Sequence, residues 1–205
     1  MLAAADQPLT AGAVGRGLAD AAGLAPADLT AHTAPLVERY ADQPDLLRAR
    51  AVAAYRAAET GVPLWEIGRL AAAVRATDQG LVKMPDDPDL LTQLGWLRLG
   101  ERNVPAAVRA TAPLKAIDAQ LAARQLELLG AVALAENDLP AATRYLQRAT
   151  QAVDPPAGAF ALLARVYLAT GQRGPARTTL EAARARPRGP REQAEYLTAA
   201  KLVAP

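Results

Sequence analysis

The chain contains no cysteine and no serine, and its one histidine is His32. These gaps remove disulfides, thiolate metal sites and Ser or Cys nucleophiles from consideration. Lysine is scarce as well. Of 23 basic residues only Lys83, Lys115 and Lys201 are lysines, which leaves 20 arginines. Aromatic residues make up 4% of the chain while apolar residues make up 51%, so any core must be assembled from Ala, Leu and Val. No apolar run approaches the roughly 20 residues a membrane helix needs. The opening MLAAADQP has neither the basic nor the apolar region of a signal peptide. The compartment therefore stays open, with the cytoplasm favoured and the bacterial envelope as the alternative if a signal has been removed. Gly15, Gly17 and Asp20 have a spacing faintly like that of a nucleotide loop, but no β-branched strand precedes them, as that loop requires. For catalysis a Thr nucleophile or a carboxylate pair remains in principle, mainly carboxylate chemistry such as Glu127 with a neighbouring acid. The chain is read as a non-enzyme without cofactor or metal, and His32 as an ordinary helix residue.

What is present is helical periodicity cut into short lengths. At 205 residues the chain can bury a substantial core. Its 16 prolines fall mostly between apolar periods, where they punctuate short helices. Asn137-Asp138 separates two amphipathic patterns. Leu126, Leu129, Val132 and Ala133 share a face of the first, and Ala142, Tyr145, Leu146 and Ala149 a face of the second. Pro140 stands where a helix can begin without losing a hydrogen bond, and Asp154-Pro155 closes the unit. The same logic predicts helices near 8–24, 26–40, 44–59, 64–77, 89–101, 105–118, 121–136, 140–153, 157–170, 174–186 and 190–202. Gly80 and Met84-Pro85-Asp86-Asp87-Pro88 read as a joint. Trp65, Ile67, Leu70 and Val74 read as lying inside the helix before that joint, with Trp65 in the core. Pro113 is expected to kink its helix or split off the last turn.

The patterns repeat. Leu94-Gly95, Leu129-Gly130 and Leu163-Ala164 occupy one register in successive first helices, and Ala107, Ala142 and Ala176 one register in the second helices, both at steps of 35 and 34 residues. A small residue is needed wherever two helices of a hairpin cross closely. On these residues the chain resembles the tetratricopeptide repeat, a 34-residue helix–turn–helix unit. The resemblance covers 89–187 well. It carries Leu129, Gly130, Ala133, Asn137, Asp138, Leu139, Ala142, Leu146 and Ala149 in the best copy. The first of the three units departs from the pattern with Arg98 where an aromatic is usual. The resemblance implies an all-α, right-handed α-solenoid of antiparallel helix pairs with about 10–11 helices. Its parts, in a single continuous solenoid, would be a diverged hairpin over 1–43, a diverged hairpin plus linker over 44–87, three repeats over 88–188 and a capping helix over 189–205.

In such a solenoid the first helices line a ligand groove. Carried onto this sequence, the groove positions are Arg50, Thr92, Gln93, Trp96, Arg124, Glu127, Ala131, Gly158, Ala161 and Arg165. Three arginines beside an exposed tryptophan suit an extended peptide or helix of a protein partner, as a scaffold or adaptor would bind. A second candidate is electrostatic. From Arg165 to Arg191 there are seven arginines and one acid, Glu181. Arg173, Arg177, Arg184, Arg186, Arg188 and Arg191 then form a basic face for an anionic partner, nucleic acid or an acidic surface. No aromatics interleave them, so base stacking is not suggested. Self-association through an alanine-rich end is a further expectation.

Overall fold

The computed structural model describes residues 35, 38–40, 43–59, 65–117, 120–186 and 188–203. The expected helix over 8–24, all of 26–40 except residues 35 and 38–40, and His32 lie outside the described residues. Within them the fold is all-α and has no strand. The nine helices are α1 Pro44–Glu59, α2 Ile67–Lys83, α3 Pro88–Gly100, α4 Val104–Ala116, α5 Ala123–Ala135, α6 Leu139–Thr150, α7 Ala157–Ala169, α8 Arg173–Arg184 and α9 Pro190–Val203. No described helix is long and apolar enough to cross a membrane. The chain forms two compact units that divide between Glu101 and Arg102.

In the first unit α1 packs on α2, and α3 packs on both. Leu46, Ala49 and Ala53 bury one face of α1, while Leu90 and Leu97 fill the core from α3. Two sequence expectations change here. Gly80 does not break its helix, because α2 runs on to Lys83. A Cβ on Gly80 would stand 2.9 Å from the Leu90 side chain, so the glycine serves a close helix crossing instead. Trp65 lies before α2, not within it, and has a φ of 63°. Its half-buried ring packs against Gly100 and meets Tyr55 edge-on at 5.8 Å. Starting α2 only at Ile67 leaves that residue 85% exposed. At the joint Asp87 caps α3, its carboxylate accepting from the N–H groups of Asp89 and Leu90 at 3.0 Å each.

In the second unit each helix packs on the next in sequence, α5 also meets α7, and α9 lies against α7 and α8. The 34-residue step is visible in the backbone. Arg102, Asn137 and Gly171, spaced by 35 and 34, end successive first helices with φ of 57°, 62° and 78°. The next residues in register, Asn103 and Asp138, cap the second helices by accepting from Ala106 N–H at 3.2 Å and Ala141 N–H at 3.0 Å. Two of the turns close with the six-residue bond of a left-handed C-cap, Asp138 N–H to Ala133 O at 2.8 Å and Gln172 N–H to Tyr167 O at 2.7 Å. Ala107, Ala142 and Ala176 are completely buried where the second helices approach their neighbours. Pro113 is exposed, and α4 continues past it to Ala116.

The positive φ at the shared turn position gives a direct test. Gly171→Ala is expected to cost about 1 kcal/mol, because an L side chain in that region meets the following carbonyl. The substitution meets no other atom, since a Cβ there has open space within 4 Å. Urea unfolding followed by circular dichroism checks the value. No change would mean that the turn relaxes to a negative φ.

Candidate functional site

In the second unit the expected groove positions lie on α5 and α7, and α9 reaches Glu127, Gly158, Ala161 and Arg165 among them. Ala131 is 7% exposed, and Ala161 and Glu127 are completely buried. Only Arg124, near the start of α5, remains exposed.

The centre of this face is an ion pair between helices distant in sequence. Arg191, in the first turn of α9, reaches Glu127 on α5. Its Nη1 donates to Oε1 at 2.8 Å and its Nη2 to Oε2 at 3.3 Å. Both side chains are almost wholly withdrawn from solvent. Gly158 on α7 makes room for them, since a Cβ there would stand 2.1 Å from Glu127 Oε1 and 3.3 Å from Arg191 Nη1. One turn further along α9, Glu195 accepts from Arg165 Nη1 on α7 at 2.6 Å, in a half-buried setting. A further turn on, Ala199 is fully buried in a cluster with Ala161, Ala164, Ala176 and Leu180. Residues 191, 195 and 199 are successive fourth positions, which form one stripe of a helix.

Burial pushes the Glu127 carboxyl above its ordinary titration range. The Arg191 guanidinium pulls it partly back, and Glu192 and Glu195 add to the upward push. A carboxyl raised in the fold holds its proton to higher pH than in the unfolded chain. Below the unfolded value both states are protonated and the group contributes nothing. As pH rises from the unfolded value to the raised one, the unfolded chain ionises while the fold still holds its proton, and stability is lost until the folded carboxyl ionises as well. Relative to Glu127→Gln, the wild-type chain is therefore expected to lose stability between weakly acidic and neutral pH. Denaturation midpoints of the two proteins across that window check the sign. A difference that moves the other way would mean that the pair's attraction outweighs its desolvation.

Two expectations about exposure are corrected in this unit. Glu127 is not open to a partner, because α9 buries it. Arg191 is not on the basic face, because it is spent on Glu127. Arg186 and Arg188 are half-buried. The first stacks on Phe160 at 4.5 Å and the second on Tyr196 at 4.4 Å. Arg188 also donates to Ala183 O at 2.7 Å, closing the end of α8. Scarce aromatics and free helix-end carbonyls draw in planar guanidinium groups, which the count of charges alone does not reveal. Arg173, Arg177 and Arg184 stay exposed on α8.

The other groove positions belong to the first unit. Arg50 is exposed on α1 and donates to Gln79 Oε1 at 3.2 Å. Thr92 and Gln93 are half-buried. Trp96, expected to be exposed, is 6% exposed and packs within the core, as a large apolar surface on a short helix must when few other aromatics exist. Arg98, which departs from the repeat pattern, bonds Glu101 at 2.9 Å and reaches Asp78 on α2 at 3.3 Å. The position that usually holds an aromatic here makes a polar link between helices.

Sequence reasoning did not find Glu195 and assigned Arg191 to the wrong role. The available signal was the Arg191–Glu195 spacing of four on one helix. Among the described residues no three His, Cys, Asp or Glu side chains come together as a metal site would require. No protein-family model matches this chain, and no curated protein is similar to it.

Proposed function

We propose that this chain is a non-catalytic, tetratricopeptide-like scaffold that binds a helix of a partner protein on the first-helix face of its second unit. One observation carries the reading. The face formed by α5 and α7 already holds a helix, α9, through the Glu127–Arg191 and Arg165–Glu195 pairs and the buried Ala199. A surface that receives one helix by shape and charge has the chemistry to receive another. The repeated turns at Arg102, Asn137 and Gly171 support the tetratricopeptide-like register, in which first helices supply the ligand face.

The test is capture of partners from the native host with the full chain, run beside a variant carrying Arg124→Glu and Arg165→Glu. Arg124 is exposed and Arg165 half-buried, so neither reversal strips a core apolar group. A protein retained by the wild-type chain and lost by the variant supports the reading. Equal recovery from both removes it.

A second reading rests on α8. Arg173, Arg177 and Arg184 follow at steps of four and seven residues, so they share one exposed stripe. An anionic partner would meet three positive charges there, half the number that the sequence offers. Such binding falls steeply with salt, with a slope near −0.9 per phosphate contacted on duplex DNA. Binding to duplex DNA that does not change between low and moderate salt would dismiss it.

A further inference from the structure

The construction of the α9 seat says more than that the face is covered. A helix added only to cap a stack needs apolar contact, and a well-packed apolar pair serves stability as well as or better than a buried ion pair does. Yet the buried residues of α9 are only Arg191 and Ala199; Tyr196, Ala200 and Val203 are partly buried against the core, and Leu197 and Leu202 are exposed. Its neighbours differ. The helix α5 buries every residue from Gln125 to Ala133, and α7 buries eight of its own. The body of the unit is thus closed by fully buried leucine and alanine, whereas α9 joins it through Ala199, the partly buried Tyr196, Ala200 and Val203, and two ion pairs.

The attachment is also specific. Three helices contribute to one pocket for a guanidinium: Glu127 from α5 as the acceptor, Gly158 from α7 as the clearance, and Arg191 from α9 as the occupant. A bidentate guanidinium–carboxylate pair fixes orientation as well as position. Arg165 then selects an acid one turn further on. When such a helix lifts away, Glu127 and Arg191 both return to water, so neither remains as an uncompensated buried charge.

We propose that α9 is a displaceable occupant of the α5–α7 face, and that a partner binds by supplying, in its place, a helix with arginine, glutamate and alanine at successive fourth positions. This rests on the scaffold reading above and narrows it to a ligand chemistry. The free seat is rationed by α9, so a partner helix competes with an intramolecular one. Its apparent affinity is lowered by the fraction of time that the seat is filled.

The experiment uses the full chain and a fluorescein-labelled helical peptide with the sequence of residues 190–203. Anisotropy titrations compare the wild-type chain with an Arg191→Ala, Glu195→Ala variant, whose own α9 is loosened. The peptide is expected to bind the variant at least about tenfold more tightly than the wild-type chain. A peptide with its arginine and glutamate exchanged should lose that gain. Adding Arg165→Glu to the variant should weaken the native peptide, and a peptide carrying Glu195→Arg should recover it. Equal binding to both chains, or equal binding by the exchanged peptide, would overturn the proposal. In case the variant folds poorly, hydrogen exchange on the wild-type chain supplies a second measurement. The amides of α9 should open at a lower free energy than those of α5 and α7. Exchange of α9 only with global unfolding would make it a fixed cap and overturn the proposal. So would formation of dimers in which α9 of a second copy takes the seat. Failure here together with a partner still lost on Arg124→Glu and Arg165→Glu would leave the scaffold reading intact and refute only the displaced helix.

Discussion

Arg191→Ala is expected to destabilise the second unit by about 3–5 kcal/mol near pH 8, the range for removing one partner of a buried pair. The substitution strips the guanidinium from Glu127, which is completely buried on α5 and bonded by both carboxylate oxygens. Three responses are open to the carboxylate. It can stay charged in the interior, take up a proton, or regain water if α9 lifts. Each costs free energy, and the cheapest sets the measured loss. Proton uptake is already favoured by burial in the wild-type fold. Without Arg191 the upward push is unopposed by its main counter-charge. The loss should therefore shrink by more than half between about pH 8 and pH 5, because a protonated carboxyl is far less costly to bury than an ionised one. A double replacement, Glu127→Leu with Arg191→Met, should recover to within about 1 kcal/mol of wild type, since a buried pair gives little net stability over apolar groups of similar size. Both tryptophans, Trp65 and Trp96, precede residue 102. Unfolding of the second unit is therefore best followed by circular dichroism. If Arg191→Ala costs no more than a surface ion pair, or costs the same at both pH values, the pair is not the anchor of α9.

The stretches that could be read from the sequence are those where structure repeats over short distances. Asn137-Asp138 reads as a turn, and a turn appears there with φ of 62° at Asn137, to which the structure adds a capping bond to Asp138. The equivalent Gly171 and Asn103 follow at the same step, because each hairpin solves the same local problem with similar residues. The failures share a cause too. With half the chain apolar, contrast between helix faces is low. On α5 periodicity marks Leu126, Leu129, Val132 and Ala133, yet the helix is buried on all sides from Gln125 to Ala133. Periodicity also placed Trp65 inside a helix, since nothing in the sequence signals that it adopts a left-handed backbone and packs on Gly100 instead. In the sequence Gly80 reads as part of a joint, and only its 2.9 Å approach to Leu90 explains why a glycine stands inside this helix. The candidate site was half legible. Positions on α5 and α7 could be carried over from the repeat, but their covering by α9 depends on a contact between residues 127 and 191. A separation of 64 residues leaves no local trace.

The close crossing inside the best repeat yields the second large effect. Gly130 lies on α5 where a Cβ would stand 2.4 Å from Leu146 Cγ and 2.7 Å from its Cδ2. Leu146 is itself completely buried on α6, so it has no free volume into which to retreat. Gly130→Ala is thus expected to cost about 1–3 kcal/mol by overpacking. That reverses the gain alanine normally brings to a helix interior, about 1 kcal/mol. Leu146→Ala alone should cost about 2–5 kcal/mol by opening a cavity at the same place. The two changes are complementary, because the added methyl enters the space that the lost isobutyl group leaves. The double variant should therefore be no less stable than Leu146→Ala alone, with a favourable coupling of about 1–3 kcal/mol in the double-mutant cycle. Four urea titrations of the full chain measure it. Additive losses would mean that the helices separate to admit the methyl group, so that the small residue shared by the repeats at this register is not fixed by the crossing distance. Coupling of the expected sign would tie the 34-residue period directly to a steric requirement. A glycine on the first helix and a leucine on the second would then be a single packing choice made by two residues sixteen positions apart.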